Sequence, residues 1–333
     1  MMTIYDIASE AKVSISTVSR VLNTPHKVAA STRMQVEAVL KKHNYSPNAM
    51  ARGLVYKSMK TVGILMSDIR NLHLSYAAFV LENLFFKQGY STLLCNTGDD
   101  LEKKKKYIRD FASRKLDGII LLGSVFNYAE IERMICDYLP ETPVIISNST
   151  LAIPNAYSVL IDHTVGMNLA VSHLVEKGHE RIAFVHSHET YNTQRKIAGF
   201  LQAMESHNLF LDSNRNTYFT QPLFDGGEKY ATSYLAAGNK SKYTAFIFSE
   251  DSIAIGAVNV FRQAGVRIPQ DAAIIGHDNS IYSLCSLPKL TSVDTKIAAI
   301  SEVMANTLHG IFQKKQVGNS IILRPELVVR DST

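Results

Sequence analysis

Ile4-Tyr5-Asp6-Ile7-Ala8, then Val13-Ser14, then Thr17-Val18-Ser19-Arg20-Val21-Leu22-Asn23 are the stretches that decide how the head of this chain folds. Ile4, Ile7, Ala8 and Ala11 recur at helical spacing, Lys12-Val13-Ser14 makes a tight connection, and Val18, Val21 and Leu22 form the next apolar face. Ser14 is placed to cap that second helix. Its outer positions are Ile15, Ser16, Ser19 and Arg20, a small, polar and basic set suited to the helix of a helix-turn-helix that enters the major groove. Val36, Val39 and Leu40 give a third helix after the cap candidates Ser31 and Thr32. It stops before Tyr45-Ser46-Pro47-Asn48, where Pro47 opens a short helical segment running to Val55.

Charge follows the same division. Residues 1–60 hold nine Lys and Arg against Asp6, Glu10 and Glu37, a net +6, whereas the remaining residues balance to −1. The whole positive excess lies in the head, the footprint of a nucleic-acid-binding module joined to a neutral body. Arg20 has the fork to read guanine bidentately, Ile15 and Ser16 suit base edges or a thymine methyl, and Thr17 and Ser19 suit phosphate oxygens.

From Thr61 the rhythm changes. Apolar strand runs at Val62 to Met66, Thr92 to Cys95, Gly118 to Leu122, Val144 to Ile146, Val159 to Ile161, Ile182 to Val185, Ala245 to Phe248 and Ala273 to Ile275 alternate with helical patterns. Alternation of this kind implies parallel sheets covered by helices on both faces. About ten strands exceed a comfortable single open sheet, so the expectation is two doubly wound subdomains with a cleft between them. The predicted class is α/β, an all-α headpiece followed by two parallel-sheet subdomains.

Composition narrows the function. With 333 residues, 46% apolar and 20% charged, the chain reads as an ordinary soluble protein of two or three units. Neither the N-terminus nor any later apolar run has the pattern of a signal peptide or membrane span. Cys95, Cys136 and Cys285 lack metal-type spacing, which predicts a reducing, cytoplasmic setting and no disulfide framework. His186 and His188 have no cysteine or third histidine close in sequence, so no metal is expected. No phosphate loop, dinucleotide fingerprint or nucleophile elbow occurs, so neither a catalytic residue nor a cofactor is assigned. Lys103 to Lys106 read as a solvated helix face.

The quoted head motif strongly resembles the LacI/GalR family of repressors. Tyr45-Ser46-Pro47-Asn48-Ala49 with Ala51-Arg52-Gly53-Leu54 resembles that family's hinge helix. The resemblance continues through Val62-Gly63-Ile64, Asp117-Gly118-Ile119-Ile120, Gly178-His179-Glu180-Arg181-Ile182, Ile275-Gly276-His277-Asp278 and Pro325-Glu326-Leu327. It implies a helix-turn-helix headpiece over 1–47, a hinge helix and linker over 48–60, and an effector-binding core of periplasmic-binding-protein type over 61–333. The first core subdomain is expected at about 61–162 and 294–318, and the second at about 163–293 and 319–333. It further implies a homodimer on a pseudo-palindromic operator, with Leu54 as a wedge in the minor groove and Thr3, Tyr5, Asn23, Asn48 and Arg52 among the DNA contacts. The chain closes on Leu327 to Thr333, too short for several leucine heptads, so a dimer is expected rather than a tetramer. Lys12, and Ala29-Ala30 where relatives carry an acidic pair, depart from the family pattern.

Strand ends supply the effector candidates, because doubly wound sheets bind ligands at their carboxyl edges. Asp68, Asp162, Glu250 and Asp278 follow strand runs, and His73 and Ser124 stand in the loops after the first and third runs. By resemblance Asp278 matches a carboxylate that accepts from ligand, Lys196 matches a ligand-holding arginine, and Glu250 stands where relatives often have Asn. Two accounts of Lys196 and Glu250 remain open. They pair with each other, or Lys196 holds an oxygen-rich or acidic ligand while Glu250 and Asp278 accept from its hydroxyls. A sugar or sugar acid is the expected effector, with a purine as the alternative. The function expected is a ligand-controlled repressor working by population shift between lobe orientations. A transport solute-binding protein would lack the basic head, and an enzyme would need a phosphate loop or an acid–base pair.

Overall fold

The computed structural model describes residues 2–45, 58–238 and 242–333. The chain divides into two compact units, 1–59 and 60–333. In the smaller unit α1 (Ile4–Glu10), α2 (Ile15–Asn23) and α3 (Ala30–Lys42) enclose Ile7, Ala8, Ala11, Val18, Val21 and Val36. Thr3 and Asp6 form a reciprocal capping box on α1, and Ser14 caps α2 by accepting from Thr17 N. Glu10 receives Lys42 Nζ and His43 Nε2, each at 2.7 Å, and so ties the end of α1 to the end of α3. The third helix begins one turn earlier than its cap candidates suggest. Ala29 occupies the cap position with no side-chain bond, and Ser31 and Thr32 lie inside the helix.

The larger unit starts with β1 (Thr61–Met66), α4 (Leu72–Lys87), β2 (Ser91–Asn96), α5 (Leu101–Ser113), β3 (Gly118–Leu122), α6 (Ala129–Tyr138), β4 (Val144–Ser147) and β5 (Ala156–Ile161). It continues through α7 (His163–Glu176), β6 (Ile182–His186), α8 (Tyr191–Ser206), β7 (Thr217–Phe219), α9 (Leu223–Ala236), β8 (Ala245–Phe248), α10 (Asp251–Gln263), β9 (Ala273–His277), α11 (Ile281–Cys285) and β10 (Thr291–Asp294). It ends with α12 (Ile297–Phe312), β11 (Ser320–Leu323) and β12 (Glu326–Val328). Two six-stranded sheets result, in the orders β11-β5-β4-β3-β1-β2 and β12-β10-β9-β8-β6-β7. All pairings are parallel except β10 with β12.

Each sheet is buried on both faces, which is why its strands read as continuous apolar runs rather than alternating ones. One face of the first sheet packs with α4 and α12 around Phe85 and Met304, and the other holds Phe111 and Phe126. The second sheet buries Phe246, Phe248 and Phe261 on one side and Phe184, Phe200 and Met167 on the other. The chain passes between the lobes after β5, after β10 and after β11.

The last passage corrects the expected boundary. Residues 319–333 do not all join the second lobe, because β11 pairs in parallel with β5, Ile321 opposite Val159, and completes the first sheet. An apolar run shows that a strand is buried, not which sheet it joins. The lysine run is also not a uniform solvated face. Lys104 is fully buried, with Nζ donating to the Val125 carbonyl at 2.7 Å and lying 5.3 and 5.2 Å from the Phe126 and Tyr128 ring centres.

Candidate DNA-reading helix and effector cavity

On α2 the inner positions are Val18 and Val21, which are buried, while Ser16 and Arg20 are exposed and Ile15 is 40% exposed. An outward apolar side chain flanked by Ser16 and Arg20 is the mixture that reads a thymine methyl and base edges. The Ser16 and Thr17 hydroxyls lie 2.8 and 2.9 Å from Ser14 Oγ, a cluster that orders the helix N-terminus. The N-terminal end of a helix, with its free amides, suits a phosphate. Tyr5 is 68% exposed on α1, and Thr3 spends its hydroxyl on Asp6 at 2.7 Å. The side chain of Asn23, and all of Asn48, Arg52 and Leu54, lie outside the described residues.

Between the two lobes of the larger unit, the strand ends enclose a cavity of about 120 Å³. His73, Ser124, Lys196, Glu250 and Asp278 line it, as the sequence suggests. Asp68 does not. Its carboxylate is held by Arg70 at 2.8 to 3.2 Å in a two-residue fork on the lobe surface. Asp162 caps α7 by accepting from Val165 N and lines a neighbouring cavity instead.

The charged residues are wired in a specific order. Lys196 is 5% exposed and gives Nζ to the Ser249 carbonyl at 2.8 Å, with His277 Nδ1 at 3.2 Å. His277 Nδ1 is also 3.2 Å from Asp278 Oδ1. A neutral imidazole nitrogen either accepts or donates, so His277 serves one of these two neighbours at a time. Burial, reinforced by Lys196, lowers His277 to about 4. Burial opposes the charge on Asp278, but His73, His277 and Lys196 outweigh it and hold the carboxyl well below the usual carboxylate range. Burial also depresses the Lys196 ammonium, against the pull of Asp278, Glu250 and Asp251.

Glu250 accepts from Ser187 Oγ at 2.9 Å and from Asn71 Nδ2 at 3.3 Å. The Lys196–Glu250 pair left open by the sequence is therefore not the arrangement formed, and both residues belong to the same lobe. Contacts that do span the cleft include Asn71 with Glu250, His73 Nδ1 with Asp278 at 3.8 Å and His188 Nδ1 with Asp99 at 3.8 Å.

Sequence reasoning missed Asn71, Asn148, Ser187 and Asn192, all lining the cavity, and above all His163. His163 is 3% exposed, and neither ring nitrogen has a partner among the described residues. Its signal was present, since it follows Asp162 at a strand-to-helix junction, where a polar side chain faces a cleft. Among the described residues no cluster of metal-ligating groups occurs and no helix is long and apolar enough to cross a membrane.

A basic reading helix on one compact unit and a polar cavity between two doubly wound lobes on the other define a ligand-responsive DNA-binding protein. Residues 3–48 match the lacI family of bacterial regulatory proteins, and residues 171–333 match the periplasmic binding protein-like domain. An HTH-type transcriptional regulator of Lachnoclostridium phytofermentans is 34% identical over 100% of this chain and 99% of its own. The transcriptional repressor PurR of Vibrio vulnificus is 31% identical over 100% and 98%, and catabolite control protein A of Staphylococcus xylosus is 32% identical over 98% and 97%. The Lac repressor dimer, solved on its operator with the anti-inducer ONPF, superposes with a TM-score of 0.88 at 24% identity, covering 99% of this chain and 98% of that one. The chain belongs to the LacI family. It is a DNA-binding transcriptional regulator controlled by a small-molecule effector, and not an enzyme.

Proposed function

We propose that this regulator is a cytoplasmic, dimeric repressor whose effector is a neutral sugar held between the core lobes by Lys196, Glu250 and Asp278. The observation that carries the reading is the chemistry of the cavity wall. Asn71, Ser124, Asn148, Ser187, Asn192 and Thr193 offer neutral hydrogen-bonding groups, and among the described residues the nearest aromatic rings, Tyr76 and Tyr191, line adjoining spaces rather than this cavity. A purine base is best held by an aromatic face, whereas hydroxyls need many short polar contacts. Two carboxylates against one ammonium disfavour sugar phosphates and uronic acids, so the expectation narrows from sugar or sugar acid to neutral sugar. The cellobiose-bound transcriptional regulator CelR shares this fold, with a TM-score of 0.74 at 23% identity.

In this reading the unit over 1–59 is the DNA-binding headpiece, with Arg20, Ile15 and Ser16 reading bases and Thr17 and Ser19 positioned by phosphates. Asn48, Arg52 and Leu54 carry the hinge contacts at the operator centre. Sugar binding selects one lobe orientation and so biases DNA affinity by its differential affinity for the two states.

The test is a thermal-shift panel of neutral monosaccharides and disaccharides, uronic acids, sugar phosphates and purines. The expected result is stabilisation by a neutral sugar that is lost in Lys196→Ala and Asp278→Asn. Stabilisation by a purine or phosphate alone, or by a sugar equally in all three proteins, would overturn the assignment.

A further inference from the structure

The carboxyl edge of the first sheet faces the effector cavity. At its opposite edge strands begin and helices end, and there Lys60, Lys87, Arg114, Lys115, Lys314 and Lys315 are all exposed. Packing beneath them draws these residues together. Lys60 Nζ lies 4.3 Å from the centre of the Tyr90 ring, which stacks on Phe312 at 4.9 Å. Lys87 closes α4 just before Tyr90, and Lys314 and Lys315 follow Phe312. Asp117 Oδ2 accepts from Thr61 N at 3.0 Å, which brings the turn carrying Arg114 and Lys115 to the start of β1. Among the described residues, Lys87, Arg114, Lys115, Lys314 and Lys315 form no ion pair. Acidic residues at this edge are fewer: Asp117, engaged by Thr61, Asp110 one turn back in α5, and Asp137 with Glu141 before β4.

The corresponding edge of the second sheet is neutralised. Arg215, Lys242 and Arg267 pair there with Glu205, Asp212 and Asp271 at 3.4, 2.9 and 2.6 Å. Backbone conformation sharpens the contrast. A helix closes readily on a residue in the left-handed region, where glycine, and less readily asparagine, escapes the clash of Cβ with a carbonyl. In the second lobe α7, α8, α9 and α10 close on Gly178, Asn208, Gly238 and Gly265, with φ 86°, 54°, 71° and 77°. In the first lobe α5 and α12 close on Lys115 and Lys314, with φ 52° and 57°, and Lys60 has φ 50° just ahead of β1. A cation complements the dipole at a helix end, but the same dipole acts in both lobes. Lys177 supplies that charge at the end of α7 with φ −83° and without such strain. The first lobe therefore holds lysine at positions where the backbone favours glycine.

We propose that this edge of the first lobe is a second DNA-binding surface, whose cations contact duplex phosphates without reading sequence. The larger unit begins at Lys60, so the unit carrying α2 is attached at this edge and not at the effector edge. DNA is thus the polyanion that the chain itself delivers to these residues. The net charge of −1 over residues 61–333 conceals the surface, because carboxylates elsewhere in the core offset it. Phosphate contacts position a duplex but carry no base information. Each cation that neutralises a phosphate releases counterions, and it adds about 0.9 to the slope of log affinity against log salt.

The experiment measures DNA dissociation constants of the full chain by fluorescence anisotropy over a range of potassium chloride concentrations. Two duplexes of equal length are used, one selected by the chain from a random library and one of unrelated sequence. Lys115→Gly combined with Lys314→Gly removes charge while supplying the residue that the backbone favours, so its thermal midpoint is expected to equal or exceed the parent's. Its affinity at about 0.1 M salt is expected to fall about fivefold or more for both duplexes, and its salt slope by about 1 to 2. Lys87→Gln combined with Lys315→Gln lies outside the left-handed positions and is expected to show the same losses should the glycines disturb the helix ends. Lys177→Gln combined with Arg181→Gln makes an equal charge change on the second lobe and is expected to leave both affinities within about twofold. Unchanged affinity and slope in both first-lobe variants overturns the surface. Equal losses from the second-lobe variant overturn its location and leave only net charge, and a loss confined to the selected duplex overturns the phosphate assignment.

Discussion

Asp251 accepts two hydrogen bonds from Ser280, one from its backbone nitrogen at 2.6 Å and one from its hydroxyl at 2.9 Å. Between these anchors and β9 the backbone makes a turn in which Asp278 has φ 100° and Asn279 φ 48°. A non-glycine residue held there costs on the order of 1–3 kcal/mol and persists only where its surroundings enforce it. Here they do. Ser292 Oγ donates to Asp251 at 2.6 Å and accepts from Asn279 N at 3.0 Å, while Arg330 donates to Asn279 Oδ1 at 2.6 Å. Gly276 leaves the room, since a Cβ there would strike Asp251 Oδ1. The Asp278 carboxylate is thus aimed at the cavity by a clamp whose centre is Asp251.

Replacing the clamp should act through Asp278. Asp251→Asn is expected to lower stability by roughly 1–3 kcal/mol, because the amide nitrogen cannot accept the bonds that one carboxylate oxygen takes from Ser280 or Ser292. It should also weaken sugar binding about as much as Asp278→Asn, with little further loss in the double variant. Urea unfolding and calorimetry on the three proteins check this, and fully additive losses would show that Asp251 does not position Asp278.

In the proposed reading Arg20, exposed on α2, specifies bases rather than merely attracting DNA. Arg20→Ala should cost about 1–3 kcal/mol of discrimination between the preferred site and one altered at a single guanine. Binding to unrelated DNA should fall less. Anisotropy titrations on paired duplexes decide the point, and an equal loss on all sequences would make Arg20 a phosphate contact.

Lys104 separates packing from polarity. Lys104→Met keeps most of the volume and gives up one hydrogen bond to Val125, so about 1 kcal/mol should be lost. Lys104→Ala also opens a cavity beneath Phe126 and should cost roughly 2–5 kcal/mol. Because Val125 and Ser124 line the effector cavity, the alanine variant is expected to bind sugar more weakly as well. Equal stability of the two variants in urea would contradict the buried position.

Protonation pulls the core in two directions. Burial, reinforced by Asp278, pushes Asp251 up to about 7, against the bonds from Ser292 and Ser280. An acid raised in the folded state contributes stability below its usual value of 3.8, and that stability is lost as pH rises through 7. His277, lowered by burial and Lys196 to about 4, contributes stability above 6.5 that is lost as pH falls toward 4. Burial, then Lys196, shifts His163 the same way. Between pH 7 and 5, His277→Gln should therefore lose less stability than the parent, and Asp251→Asn more. Thermal midpoints across that range measure it, and three parallel profiles would refute the assignment.

Much of this was legible in the chain itself. The head showed its helices because Val18 and Val21 recur at helical spacing and Ser14 stands where a cap is needed. The long strands showed because burial on both faces makes runs such as Gly118 to Leu122 wholly apolar. The short strands Thr217–Phe219, Thr291–Asp294, Ser320–Leu323 and Glu326–Val328 escaped, since three or four residues are too few to carry a period. Asp278, Glu250 and Lys196 were found from strand ends and resemblance. Asp68 was misplaced because a strand end gives a residue's neighbourhood, whereas its partner Arg70 decides its direction. Asn71 went unseen because its partner Glu250 lies in the other lobe, 179 residues away in sequence, and His163 because its ring packs on His277, distant in the chain, at a junction that only the folded lobes create.

The central claim, that sugar in the core controls DNA binding, is tested most directly by one affinity measurement made with and without sugar. DNA selected by the full chain from a random duplex library is titrated by fluorescence anisotropy, with the tightest-binding sugar of the panel absent or saturating, for the parent and for Asp278→Asn. The account predicts a shift in the parent's DNA dissociation constant of about fivefold or more, the usual range of allosteric coupling, and no shift in the variant. A DNA affinity that is the same with and without sugar in the parent would contradict it.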